Sequence, residues 1–378
     1  MAPSSQGSSS IEPFFLERYF AQHEFSTRYL LGSSDCESMS VRELLSLELG
    51  GEQRLLDCWL GYTESLGAPD LRDAIAELYA GIRPQDILVH AGAGEAIYTF
   101  SRSVLNAGDR VVVQVPCYQS AASVARSQGC EVVPWPPLDG AAWSWSVDEL
   151  TALATPGIRA IFINSPQNPT GAQFTEDEFR RIVALAENAR AILFSDEVYR
   201  FSEVDAAPLL AACDLSETAV SLGVLSKSFG LPGLRVGWIA TRNHSVLDAM
   251  ARYKDYLTIC NSAPSEVLAT IALRRRDHVL ARAHAILREN RALLEAWMQR
   301  HADVFEWKPP QAGPIAFVGV RGGRSATALC EAAIAQGVML VPSTAFDYGD
   351  AHVRIGFGRR NLGDGLEQLS RVLPSATL

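Results

Sequence analysis

A chain of 378 residues, 48% hydrophobic and 20% charged, is long enough for one large domain and a smaller one at roughly 100–200 residues each. Its net charge of −10 leaves no basic footprint for nucleic acid, and no apolar run reaches the ~18 residues needed to cross a bilayer. The seven cysteines are odd in number and scattered, which fits a reduced, cytoplasmic protein, and the seven histidines lack ligand spacing, so no metal site is expected.

The serine-rich stretch 1–10 reads as a disordered arm. Residues 11–40 are aromatic-rich (Phe14, Phe15, Tyr19, Phe20, Phe25, Tyr29) and need a surface to bury against, assigned here to a small C-terminal domain. Ser40 and Glu43 have the spacing of a reciprocal helix cap. Gly67-Ala68-Pro69-Asp70 opens a further helix, in which Leu71, Ile75 and Leu78 keep helical spacing. From Ile87 short apolar runs alternate with helical patterns such as Thr175–Ala189. Strands are expected near Ile87–His90, Arg110–Val115, Glu131–Val133, Ala160–Asn164, Ala191–Phe194 and Ala219–Val224. That alternation predicts an α/β protein with a mostly parallel, doubly wound sheet. A seventh strand, Arg235–Ala240, follows too closely for a helical crossover and is expected to be antiparallel. Beyond His244 come helices near Ser245–Leu257 and Val279–His301, then strands near Ile315–Val318 and His352–Phe357. Arg274, Arg275 and Arg276 read as the solvated face of one long arginine-rich helix. The expected division is an arm over 1–10, an N-terminal segment over 11–40, a large domain over 41–255 and a smaller α+β domain over 256–378.

Chemistry-bearing residues gather where the expected strands end. Ala93 and Gly94 lie in a small-residue turn that opens a helix, where backbone N–H groups can approach an anion. Tyr118 can stack on a flat heteroaromatic ring, or is an aromatic at a domain boundary. Asn168 is an amide held between Pro166 and Pro169. Asp196 is a partly buried carboxylate in need of a partner, for which a protonated pyridine nitrogen is suitable, and Tyr199 follows it. The window S-L-G-V-L-S-K-S-F-G-L-P-G-L-R-V-G-W then supplies Lys227 for an aldehyde, with Ser226 and Arg235 for a phosphate. That set meets the needs of pyridoxal 5'-phosphate, although a surface lysine in a glycine-bearing loop would look the same in isolation.

In this order, from about Trp59 to Phe357, the windows resemble the class I/II aminotransferases of the fold-type I pyridoxal-phosphate enzymes. The resemblance implies a large domain with a mostly parallel seven-stranded sheet between helices. It also implies that Lys227 forms the Schiff base and shuttles the substrate proton, while Asp196 pairs with the pyridine nitrogen. Asn168 and Tyr199 would contact the ring's phenolic oxygen, Tyr118 would stack on the ring, and Ala93, Gly94, Ser226 and Arg235 would hold the phosphate. Tyr62, in W-L-G-Y-T-E-S-L-G-A-P-D-L-R, matches a tyrosine that reaches the phosphate of the neighbouring subunit, which implies a homodimer with composite sites. Arg354, in H-V-R-I-G-F-G, matches the arginine that takes the substrate α-carboxylate, with Asn168 sharing that contact. The implied reaction moves an amino group from an L-amino acid to a 2-oxo acid by a ping-pong mechanism. The lysine window and the N-terminal E-R-Y-F are also similar to capreomycidine-synthase-type cyclases acting on an arginine derivative. D-E-V-Y, with Tyr199, follows the aminotransferase pattern. Asp35 and Glu37 are expected at the mouth of the site, where they either favour a cationic side chain or are two loop acids in water.

Overall fold

Six apolar runs and one amphipathic edge strand make the central sheet of the computed structural model, which describes residues 11–140 and 142–373. The arm expected at 1–10 lies outside the described residues. The strands are β1 (Ile87–His90), β2 (Arg110–Gln114), β3 (Glu131–Trp135), β4 (Ile158–Asn164), β5 (Ile192–Asp196), β6 (Val220–Val224) and β7 (Gly237–Ala240). Their order is β1-β7-β6-β5-β4-β2-β3. Strands β2 to β6 pair in parallel, and β7 is antiparallel to both β6 and β1. The antiparallel β7 was expected, because the link from β6 closes on itself, Leu225 N–H donating to the Val236 carbonyl at 3.1 Å, with no room for a crossover helix.

Both faces of this sheet are covered, which is why its strands are apolar rather than alternating. On one face Phe100, Phe162 and Phe194 meet with ring centroids 4.6 to 5.6 Å apart. On the other, the helix Glu176–Ala189 buries Phe179, Ile182 and Val183 against the sheet. That helix starts with a reciprocal cap, Thr175 accepting from Glu178 N–H and the Glu178 carboxylate accepting from Thr175 N–H. The pair at Ser40 forms only half of such a cap. Ser40 accepts from Glu43 N–H at 3.1 Å, but the Glu43 carboxylate turns to Arg282, 3.1 Å away.

A second sheet is formed by β8 (Phe305–Glu306), β9 (Ile315–Val320), β10 (Val341–Pro342) and β11 (His352–Gly356), antiparallel in the order β10-β11-β9-β8. Leu287, Leu294 and Trp297 of the helix Arg276–Arg300 pack against it. The single arginine-rich helix expected there is two helices, Ala263–Arg274 and Arg276–Arg300. The three arginines at the break are paired rather than merely solvated, Arg274 with Asp70 at 3.2 Å, Arg276 with Glu77 at 2.9 Å and Arg275 facing Glu48 at 3.9 Å. The turn folds this stretch back onto the helix Pro69–Ala76 and so brings acids within reach.

Residues 29–37 run as a strap between the two sheets. Tyr29 bridges to Val338, the Leu31 carbonyl accepts from Gly356 N–H, and Glu37 N–H donates to the Gly358 carbonyl at 2.8 Å. Glycine is required beneath it, since a Cβ at Gly356 or Gly358 would run into the Ser33 or Asp35 carbonyl. Ahead of the strap, the helix Phe15–His23 buries Leu16, and the Tyr19 hydroxyl donates to the Leu340 carbonyl at 2.8 Å. The aromatic segment therefore finds its surface, though Phe25 stays in solvent. Among the described residues no helix is long and apolar enough to cross a membrane.

Candidate active site

The carboxyl ends of the parallel strands open onto a cavity of about 410 Å³, the usual place for a ligand in an open α/β sheet. Ala93, Gly94, Tyr118, Asn168, Asp196, Tyr199, Ser226, Lys227, Arg235 and Arg354 all line it. Tyr62 does not, and is 83% exposed on the surface of the chain.

The anion end is built from local geometry. After β1 the chain turns at Gly92 with φ +94°, and the helix Ala93–Val104 begins. A Cβ at Gly92 would strike the Arg235 guanidinium, so only glycine lets arginine lie against the helix N-terminus. Ser226, after β6, lines the same cavity. Backbone N–H groups, a hydroxyl and a guanidinium are the donor set that a phosphate requires.

The middle of the cavity is set by β4, β5 and the turn after β4. Asn164 donates to the Asp196 carbonyl at 2.8 Å and accepts from Asn168 N–H at 2.6 Å, fixing both neighbours. The Asp196 carboxylate accepts from Val198 N–H at 3.2 Å. Burial pushes its carboxyl up to about 7, only partly offset by that N–H and by the charge of Lys227. Such a carboxyl becomes a stable carboxylate when a cation is placed against it, as a protonated ring nitrogen would be. In protein stripped of cofactor the raised value has a consequence for stability. The folded state holds a proton that the unfolded chain has already released, so this contribution is present below about pH 4 and lost as pH rises through about 7. Asp196→Asn is therefore expected to raise the melting temperature of the cofactor-free protein by a few degrees at pH 8 and hardly at all at pH 4. Equal shifts at both pH values would contradict it.

Lys227 Nζ donates to Ser34 Oγ at 2.9 Å and lies 6.0 Å from the centroid of the Tyr199 ring. The Tyr199 hydroxyl is buried without a hydrogen-bond partner among the described residues, as is Arg354 Nε. Arg354, 1% exposed, donates through Nη1 to Asn168 Oδ1 at 2.9 Å and through Nη2 to the Gly32 carbonyl at 2.7 Å. An orphaned buried phenol, a glycine cradle beside an arginine and a carboxylate in need of a cation all fit pyridoxal phosphate.

Several lining groups were not expected from the sequence. Glu17, Phe20 and Glu24 come from the N-terminal helix and its cap, and Ser33 and Ser34 from the strap. Tyr118 donates its hydroxyl to Glu17 at 2.8 Å and packs against Phe14 at 4.8 Å. The i, i+3, i+7 spacing of Glu17, Phe20 and Glu24 was the available signal that these three share a helix face. Of the two acids expected at the mouth, Asp35 lines the cavity and Glu37 does not. Asp35 is buried rather than in water, and both its oxygens lie 3.0 Å from Arg359 Nη2, so its charge is already balanced. Glu37 accepts from Arg360 N–H at 3.1 Å and lies outside the lining.

Residues 40–362 match the family model described as aminotransferase class I and II. The chain is 30% identical to capreomycidine synthase of Streptomyces vinaceus over 379 aligned positions, which cover 98% of this chain and 96% of that protein. Among solved structures, a PLP-dependent aminotransferase from Streptococcus suis superposes with a TM-score of 0.91 at 30% identity, covering 97% of this chain and 98% of that one. The PLP-dependent cyclase OrfR superposes with a TM-score of 0.89 at 31% identity, covering 98% and 100%. With that match over most of its length and a fold-type I architecture, the chain belongs to the class I and II aminotransferase family and takes pyridoxal 5'-phosphate as its cofactor.

Proposed function

We propose that the protein is an aminotransferase that moves an amino group from an L-amino acid to a 2-oxo acid. The observation that carries this reading is the convergence of Lys227, Asp196 and Arg354 on one cavity, with Asn168 bonded to Arg354. Bound there, pyridoxal phosphate supplies a carbonyl for the substrate amine and a ring that takes up the electron pair left by the α-proton. The residues do the rest. The helix N-terminus at Ala93 and Gly94, Ser226 and Arg235 would hold the phosphate. Asp196 would keep a proton on the ring nitrogen, Asn168 and Tyr199 would contact the phenolic oxygen, and Tyr118 would stack on the ring. Arg354 receives the α-carboxylate through its unused N–H donors, with Asn168 beside it. Lys227 Nζ would take the α-proton as general base and deliver it to the carbon that was the cofactor's aldehyde, across the nitrogen that joins the two. Release of the first oxo acid before the second substrate binds gives ping-pong kinetics.

A second reading, cyclisation or elimination on an arginine derivative, is favoured by the likeness to capreomycidine synthase and OrfR. Mixing the holoenzyme with amino-acid pools and identifying products separates the two. An oxo acid together with a newly aminated acceptor supports transamination. A cyclised or eliminated product formed without any acceptor replaces it with the second reading.

The reading extends to a homodimer in which Tyr62 reaches the partner's phosphate site. Support comes from the exposed apolar residues Leu49, Leu56, Trp59 and Leu60 in the same stretch of chain as Tyr62, side chains that water disfavours. Sedimentation should give a dimer, and Trp59→Glu should shift it towards monomer and weaken cofactor binding. A wild-type monomer with full cofactor occupancy would refute the composite site.

A further inference from the structure

The charges lining the cavity do not balance once each has been given its task. Resting on the amino-acid reading above, Lys227 and Arg235 serve the cofactor, Arg354 the α-carboxylate and Asp196 the ring nitrogen. Asp35 and Arg359 neutralise one another at 3.0 Å. Two carboxylates remain, Glu17 and Glu24, with no lining cation left for either. We propose that the substrate side chain ends in a cation, a guanidinium or an ammonium group, which Glu24 receives with Glu17 beside it.

Four observations favour Glu24. It is half-buried, and no cation lies within ion-pairing distance of it among the described residues. It is the C-cap of the helix Phe15–His23, where the helix dipole opposes a negative charge, so it is not there for the helix. Burial, then the neighbouring Asp35, push its carboxyl up against the opposing pull of Arg359 and Lys227, neither of which is close enough to pair with it. Finally, Ser33 Oγ, 3% exposed, lines the same cavity without a hydrogen-bond partner, offering a second acceptor. A guanidinium brings five N–H donors and needs more than one acceptor.

The path between the two ends suits an extended side chain. The Phe20 ring lies 5.8 Å from the Arg354 guanidinium and one helical turn from both glutamates, so methylene groups can pass over it. An acidic side chain would instead face Glu17, Glu24 and Asp35, with Arg359 already occupied.

The test uses amino acids that bind but carry no α-hydrogen, titrated into holoenzyme while cofactor absorbance is followed. α-Methylarginine should bind at least about tenfold more tightly than α-methylleucine, the range for a hydrogen bond to a charged group. Glu24→Gln should cut that ratio by about tenfold or more, and Glu24→Asp should retain part of it. Cofactor absorbance before titration shows that each variant is assembled, and Glu17→Gln gives a second, independent reduction. Equal binding of the two analogues, or an equal loss for both in Glu24→Gln, overturns the cationic side chain while leaving the amino-acid reading standing. Failure of both analogues to perturb the cofactor overturns the amino-acid reading itself, and this inference with it.

Discussion

Replacing Lys227 by alanine is expected to lower turnover by about 10⁴-fold, the upper range for loss of a positioned base. Among the described residues each other lining carboxylate has a different task, Glu24 being the one left to the substrate side chain. Asp35 is bound to Arg359, Glu17 takes the Tyr118 hydroxyl, and Asp196 is assigned to the ring nitrogen. Lys227→Arg separates charge from chemistry. A guanidinium keeps the positive charge near Asp196 but does not give up its proton, so this variant should be as inactive as alanine. Borohydride reduction of the holoenzyme checks the assignment independently of rate. The chain has three lysines, Lys227, Lys254 and Lys308. Lys254 is buried with its ammonium on the Ser65 carbonyl at 2.6 Å, and Lys308 lies over the Trp143 ring at 4.8 Å. The reduced cofactor should be recovered on the peptide bearing Lys227, and recovery on either of the others would reject the assignment.

The second large effect is expected at Arg354. Its guanidinium is buried, and burial works against its charge, so the protein bears that cost for a reason. Two of its nitrogens are held by Asn168 Oδ1 and the Gly32 carbonyl, and Nε is without a partner among the described residues. Removing one member of a buried charge pair costs roughly 2–5 kcal/mol. Arg354→Ala should therefore weaken amino-acid binding by about a hundredfold or more, while cofactor absorbance stays intact. Arg354→Lys should recover only part of the loss, because an ammonium cannot reproduce the two-pronged contact. Loss of the cofactor with normal amino-acid affinity would move Arg354 into cofactor binding instead.

How much of this was legible beforehand follows the range of the interactions involved. The strands of the central sheet, the antiparallel β7 and the residues at the strand ends rest on local signals: apolar run length, turn residues and the few positions after each strand. Ala93, Asn168, Asp196 and Lys227 sit within or a few residues beyond the carboxyl ends of β1, β4, β5 and β6, so the strand pattern pointed to them. The arginine run at Arg274–Arg276 was read as part of one helix and not as a break between two. It is solvated as expected, and its ion-pair partners Asp70 and Glu77, about 200 positions away, were not legible locally. Tyr62 was legible only through family likeness, since its proposed role needs a second chain.

The sequence by itself determined the cofactor chemistry, because a lysine, a carboxylate, an amide and two arginines at those positions answer a specific chemical demand. Tertiary structure alone decided what surrounds that chemistry. Ser34 meets Lys227 across 193 positions, Gly32 meets Arg354 across 322, and Asp35 meets Arg359 across 324. Whether an acid at the mouth is free or neutralised depends on such long-range pairings. Asp35, one of the two acids that the sequence singled out, is neutralised by Arg359, and Glu24, which it did not, is left unpaired in the cavity. No local periodicity encodes that outcome, because it is fixed only when the strap and the N-terminal helix close over the ends of the strands.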